Sequence, residues 1–229
     1  ADAVLLTAAH IGVAWDGDFD RCFLFDEGGR FIEGYYLVGF LARRMLIGSL
    51  GGKIVIDPRL TWNTIELVRD VGGETVVSKS GHSFMKETMR KTGAFYGGEM
   101  SAHHYFRDFS YSDSGMLPWL LVAEELSTTG HRLSRLVEDR IRRFPCSGEI
   151  NRRVDDPDGV IHKVRTHFQT LATAFSDIDG ISMEFGSLWR FNLRKSNTEP
   201  LVRLNVEASG DEVVMKSRTE EILGIIDAQ

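Results

Sequence analysis

Lys53-Ile54-Val55-Ile56-Asp57, then Thr61 to Val71, Glu74 to Ser78 and Ser83 to Lys91, alternate a short apolar run with an amphipathic stretch, twice over. Short apolar runs bounded by turn residues suit buried strands, and the longer stretches carry apolar residues at helical spacing. A third apolar piece, Ala94 to Tyr96, leads into Gly97-Gly98. Strand–helix–strand–helix–strand at this spacing predicts a parallel sheet with crossover helices, the centre of an α/β domain. Upstream, Gly34 to Ile47 has apolar residues at 37, 38, 41, 45 and 46, which predicts a helix. Ile11 to Trp15 and Cys22 to Phe25 read as short strands, with Glu27-Gly28-Gly29-Arg30 as a turn. Downstream, two more helices are predicted over 115–126 and 133–143.

Near Pro145 the pattern changes. Gly148 to Val154, Ile181 to Phe185, Leu188 to Leu193 and Leu201 to Glu207 read as strands in hairpins. Val160 to Ala172 and Asp211 to Ile226 read as helices, the second opening on two acidic residues at its positive end. These elements predict a smaller α+β domain, with the boundary at Phe144 to Gly148.

The composition fits such a domain pair. Of 229 residues, 42% are hydrophobic and 26% charged, which excludes a disordered chain. Net charge is −6, from 27 Lys and Arg against 33 Asp and Glu, so neither a broad nucleic-acid footprint nor a polybasic membrane patch is expected. The longest apolar run, Tyr35 to Ala42, is far shorter than a membrane span. Ala3 to Ala9 is apolar but follows Asp2 and no Lys or Arg, unlike a signal peptide. Cys22 and Cys146 match no metal or redox spacing and read as thiols of a reducing, cytoplasmic setting. The chain opens on Ala1 rather than Met, so a processed chain or a piece of a longer one is expected.

Three loops carry chemistry. In Trp15-Asp16-Gly17-Asp18-Phe19-Asp20-Arg21, three carboxylates at alternate positions follow a strand. Hard oxygens crowded on a short loop suit Mg²⁺, which relieves their mutual repulsion. An EF-hand would want Gly where Arg21 sits, although Glu27 falls at its twelfth place; a dehalogenase-type phosphatase using Asp16 would want Thr or Val at Asp20; an acidic solvent-facing turn is the plain alternative. In Gly97-Gly98-Glu99-Met100-Ser101-Ala102-His103-His104, an extended backbone would point Glu99, Ser101 and His103 to one side, a pattern that suits sugar hydroxyls. His104 is a bystander in that reading. In Arg194-Lys195-Ser196-Asn197-Thr198-Glu199-Pro200, a guanidinium, two hydroxyls, an amide and backbone N–H groups on one tight loop can surround a phosphate. Alternation turns Lys195 to the opposite side, and Arg194 is expected to lack an acceptor until an anion arrives. A polar hairpin turn is the alternative.

Together and in this order, the three loops resemble those of the α-D-phosphohexomutases. The first resembles that family's DGDGDR with Phe19 for Gly, and the second GEMSGH with Ala102 for Gly; the third fits R-x-S-N-T-x-P without exception. Stretches 15–23, 97–109, 113–116 and 189–200 are most similar to the bacterial phosphomannomutase branch, which supplies GDP-mannose. The resemblance implies an isomerase acting on hexose phosphates, mannose 6-phosphate and mannose 1-phosphate first among them, through a hexose bisphosphate intermediate. It implies Mg²⁺ on Asp16, Asp18 and Asp20, with Arg21 at the reacting phosphate. Glu99 and Ser101, with His103 nearby, would bind sugar hydroxyls, and Arg59 and His82 would face the substrate. Arg194, Ser196, Asn197 and Thr198 would hold the phosphate that is not transferred.

One departure matters. The family's phosphoserine lies in a T-A-S-H-N-P loop of a first domain, and Thr7-Ala8-Ala9-His10 only echoes it. The resemblance therefore implies the end of domain 2 with the metal loop (1–33), domain 3 (34–144) and domain 4 (145–229). The chain alone is expected to be inactive, its partners being the missing N-terminal domains or another copy pairing along an exposed strand edge. A phosphosugar-binding module without catalysis is the alternative.

Overall fold

The computed structural model describes residues 1–196 and 199–228, which form two compact units. The first comprises residues 1–57 and 61–140, the second 58–60 and 141 onward.

The first unit opens with α1 (Asp2–Thr7) and an antiparallel sheet of β1 (Gly12–Trp15), β2 (Cys22–Phe25) and β3 (Phe31–Ile32). There follow α2 (Gly34–Leu46), β4 (Lys53–Ile56), α3 (Trp62–Asp70), β5 (Glu74–Val77), α4 (His82–Thr92) and β6 (Tyr96–Gly98). Then come β7 (His104–Phe106), β8 (Ser112–Asp113), α5 (Met116–Thr129) and α6 (Leu133–Arg143), of which residues 141–143 count with the second unit. The second sheet runs β5-β4-β6-β7-β8, and β4 pairs in parallel with both β5 and β6, as the βαβ spacing predicts. The sheet is nevertheless mixed: β7 and β8 extend it antiparallel, which the sequence reading lacks because runs of three and two residues show no period.

Ile54, Val55 and Ile56 are at most 2% exposed, so both faces of β4 are covered, which explains a strand without apolar–polar alternation. Met85 and Met89 of α4 pack on the Val55 face. The two glycines of β6 let helices approach closely. A Cβ at Gly97 would sit 2.6 Å from the Met89 sulfur, and one at Gly98 2.7 Å from Val38 of α2.

The second unit contains β9 (Ile150–Arg153), α7 (Pro157–Phe168), β10 (Ala174–Ser176), β11 (Ile181–Phe185), β12 (Trp189–Lys195), β13 (Leu201–Ala208) and α8 (Glu212–Asp227). Its strands form one antiparallel sheet in the order β10-β11-β12-β13-β9. α7 starts three residues before the predicted Val160 because Asp156 accepts a hydrogen bond from the Gly159 N–H and Pro157 fits the first turn. It ends at Phe168, short of the predicted Ala172, and β10, a strand the sequence pattern did not suggest, follows at Ala174.

Alternation divides this sheet into two chemically different faces. Trp189, Phe191 and Leu193 of β12, with Val202, Leu204 and Val206 of β13, pack in one core with Val164 and Phe168 of α7 and Ile222 and Ile226 of α8. The other face pairs Arg190 with Glu207, Asn192 with Asn205 and Arg194 with Arg203 across the strands. Arg190, Asn192, Arg194, Asn205 and Glu207 are all buried. A buried polar face on a sheet is expensive unless each group finds a partner, which marks it as a place to look for function.

Candidate functional site

In the first unit, β1 and β2 form a hairpin whose closing pair is Trp15 and Cys22, so residues 16–21 make a short connecting loop. Asp16 Oδ2 accepts from Arg21 Nε at 2.6 Å and Oδ1 from the Arg21 backbone N–H at 3.2 Å. Burial alone would raise the Asp16 carboxyl, but these hydrogen bonds outweigh it and bring its pKa down to about 2. Asp16, Asp18 and Asp20 each offer an oxygen within 4.8 Å of the others. Phe19 sits in the left-handed region at φ 62°, the backbone state that favours Gly, and its ring packs 6.3 Å from that of Trp15.

Support comes from Asp113-Ser114-Gly115-Met116. Gly115 donates its N–H to Phe19 O at 3.1 Å, and its own carbonyl accepts from Trp15 Nε1 at 2.8 Å. A Cβ at Gly115 would lie 2.5 Å from Phe19 O and 2.8 Å from Arg21 O, so only Gly allows the loop to come this close.

The Glu99 to His103 segment is not extended. Ala102 stands at φ 71°, its N–H bonds to Glu99 O at 3.0 Å, and Glu99 N–H bonds to His103 O at 2.9 Å, closing a tight turn between β6 and β7. The three side chains still converge: His103 Nδ1 is 3.3 Å from Ser101 Oγ and 3.9 Å from Glu99 Oε1. The turn, rather than strand alternation, brings them together. Glu99, 3% exposed, accepts from the Gly81 N–H at 2.8 Å and from the Tyr105 hydroxyl at 2.6 Å. Burial and the Glu99 charge hold the Tyr105 hydroxyl well above its ordinary pKa, so it remains a donor. Asp57 accepts from the Met100 N–H at 2.8 Å and fixes the turn from below.

His103 also joins this turn to the acidic loop. Its Nε2 lies 3.2 Å from Asp20 Oδ2, and Cys22 N–H donates to Ala102 O at 3.2 Å. Asp113 stands close to both Asp20 and His103 and pairs with Lys86 at 2.7 Å. His82 opens α4 and is exposed, next to the Gly81 N–H that Glu99 engages. His104 is fully buried, with Nδ1 2.6 Å from the Tyr96 hydroxyl, a core residue as its bystander reading implies.

In the second unit, Arg194 is 9% exposed and donates Nη2 to Glu149 Oε2 at 3.4 Å. The expected lack of an acceptor is therefore wrong: the carboxylate of Glu149, just before β9, takes that place. Arg59 Nη1 reaches the same Oε2 at 3.2 Å, and Arg203 Nη1 reaches Oε1 at 3.2 Å. Three guanidiniums thus converge on one carboxylate and present forked N–H donors of the kind that suit a phosphate. Lys195 points away, its Nζ 2.9 Å from Asp158 of α7, as alternation requires. Ser196 follows β12, with its N–H bonded to Leu201 O at 2.9 Å. Asn197 and Thr198 lie outside the described residues.

Tyr105, Asp57, Asp113, Glu149 and Arg203 escaped the sequence reading. Arg203 carried a usable signal, because two equal alternating strands around a tight loop place it opposite Arg194. Glu149 carried none, since it lies 45 residues away along the chain.

The two units thus carry an acidic loop, a carboxylate–hydroxyl–imidazole turn and an arginine-lined sheet face. Sequence models of the phosphoglucomutase/phosphomannomutase family match the chain twice, the α/β/α domain III over residues 33–144 and the C-terminal domain over residues 149–224. The chain belongs to that family. It is 58% identical over 226 residues to a protein named phosphohexose mutases from Xanthomonas campestris pv. campestris, covering 99% of this chain and 50% of that protein. It is 57% identical to phosphomannomutase of Escherichia coli strain K12, covering 99% of this chain and 49% of that one. A solved phosphoglucomutase/phosphomannomutase family protein of Burkholderia thailandensis superposes with a TM-score of 0.81 at 29% identity, over 99% of this chain and 49% of that one. The chain thus spans about half the length of the relatives it matches.

Proposed function

We propose that this chain forms the sugar-binding and phosphate-binding half of a phosphomannomutase, which interconverts mannose 6-phosphate and mannose 1-phosphate and requires a phosphoserine domain from outside the chain. The observation that carries the reading is the His103–Asp20 contact at 3.2 Å, which joins the sugar turn to the acidic loop. A carboxylate–hydroxyl–imidazole group able to bind sugar hydroxyls then adjoins oxygens able to hold a cation beside a phosphoryl group.

In this reading Glu99 and Ser101 orient the sugar, with His103 between them and the acidic loop. Arg21, already hydrogen-bonded to Asp16, donates to the reacting phosphate, and Arg59 and His82 face the substrate. Arg194, with Ser196, Asn197 and Thr198, holds the distal phosphate. The donor set fits Mg²⁺: three carboxylates offer hard oxygens within 4.8 Å, and the buried Asp20 Oδ1 has no hydrogen-bond partner. Bound by Asp16, Asp18 and Asp20, the ion would offset negative charge on the transferring phosphoryl group. Residues 1–33 are read as the end of a preceding domain.

The test is a mutase assay on mannose 1-phosphate with this chain alone and mixed with the N-terminal half of a relative. Activity in the mixture only supports the reading. Binding of mannose 1-phosphate without activity in either case favours a binding module, and no binding at all refutes both.

A further inference from the structure

Arg190 is 2% exposed on the polar face of β12, and its cross-strand partner Glu207 is fully buried. Arg190 Nη1 donates to Glu207 Oε1 at 2.8 Å and to the Arg59 carbonyl at 3.0 Å, while Nη2 donates to the Pro58 carbonyl at 2.8 Å. Its Nε lies 3.5 Å from Glu184 Oε1. Two consecutive backbone carbonyls, more than 130 positions away along the chain, are therefore gripped by one planar fork.

A buried ion pair is weak evidence of a stabilising role, because an apolar pair of similar volume is often as stable. What the guanidinium adds is direction: its rigid fork can engage both carbonyls while facing a carboxylate, which a point-charge ammonium cannot do in one geometry. With the Pro58 ring restricting φ and both carbonyls held, only side-chain torsions remain to place the Arg59 guanidinium on Glu149. We propose that Arg190 is a positioning residue for Arg59, holding Pro58 and Arg59 so that Arg59, Arg194 and Arg203 form one preassembled anion site. The inference rests on the phosphosugar reading above.

The test is a double-mutant cycle read by calorimetric titration of this chain with mannose 1-phosphate. Replacing the pair together, Arg190→Met with Glu207→Met, removes both charges of the pair at once, so the melting temperature should stay within ~5 °C of the parent. Affinity should fall about tenfold, and in an Arg59→Ala background the same replacement should change it less than twofold, because nothing remains to position. Should the pair variant fail to fold, Arg190→Lys keeps the charge against Glu207 without the fork and carries the same comparison. Parent affinity in the pair variant overturns the proposal. An equal loss in both backgrounds also overturns it, since that is the mark of a general structural effect. If Arg59→Ala binds like the parent while Arg194→Ala does not, the positioning role falls and the phosphosugar reading stands. If both bind like the parent, the phosphosugar reading falls with it.

Discussion

Arg194 and Arg203 stand directly opposite each other on adjacent antiparallel strands, each within 3.4 Å of the same Glu149 carboxylate. Like charges facing each other across a strand pair are destabilising, so two guanidiniums that share the Glu149 carboxylate with Arg59 make an arrangement that an anion would complete.

Arg194→Ala should therefore weaken mannose 1-phosphate binding by ~1.5–3 kcal/mol while leaving thermal stability nearly unchanged, since Glu149 keeps Arg59 and Arg203. Lys195→Ala should do neither, because its exposed ammonium pairs with Asp158 on the other side of the sheet. Titration calorimetry and thermal melts of both variants decide the matter; a larger affinity loss for Lys195→Ala would reverse the assignment.

At the acidic loop, Asp18→Ala should abolish Mg²⁺ binding measured by calorimetry. Gly115→Ala should weaken it about tenfold without touching a carboxylate, because the new methyl meets Phe19 O at 2.5 Å and must push the loop aside. Unchanged Mg²⁺ affinity in Gly115→Ala would show that the loop does not depend on this approach.

Glu99→Gln would separate charge from shape if the residue only faced a sugar. Both carboxylate oxygens instead serve the protein, one accepting from Gly81 N–H and the other from the Tyr105 hydroxyl. An amide nitrogen must then confront a donor, so a stability loss of about 1–3 kcal/mol is expected alongside weaker sugar-phosphate binding. Chemical denaturation of the ligand-free variant checks it, and parent stability would contradict the assigned contacts.

His104 makes a pH prediction. Burial, with the nearby His103 adding to it, brings its pKa from an ordinary 6.5 down to about 3. The folded protein keeps the ring neutral where the unfolded chain would protonate it, so the contribution is complete above pH 6.5 and drains away as pH falls toward 3. The slope is about 1.4 kcal/mol per pH unit within that window. Urea denaturation from pH 7 to 4.5 should show stability falling in the parent and a flatter profile in His104→Phe. Parallel profiles would assign the acid sensitivity to other groups.

Read along the chain, short apolar runs sufficed for β4 and β5, helical spacing for α3 and α4, and alternation for the two-faced strands β12 and β13. The acidic loop and the Arg194 loop were legible because each groups its chemistry within seven consecutive residues. Lys195 was placed correctly by alternation alone. What local pattern could not supply was the conformation of the Glu99–His103 turn, since Ala at φ 71° runs against its own preference and is held there by hydrogen bonds to neighbours.

The amino-acid order by itself determined which side chains share a strand face and which carboxylates share a loop, because both follow from the two-residue and 3.6-residue repeats of the backbone. Only the tertiary structure decided that Glu149 gathers Arg59, Arg194 and Arg203, that Arg190 grips the Pro58 and Arg59 carbonyls, and that His103 meets Asp20. The reason is physical: those contacts join residues tens to more than a hundred positions apart, and nothing but the packing of sheets and helices brings such distant donors and acceptors within hydrogen-bond range.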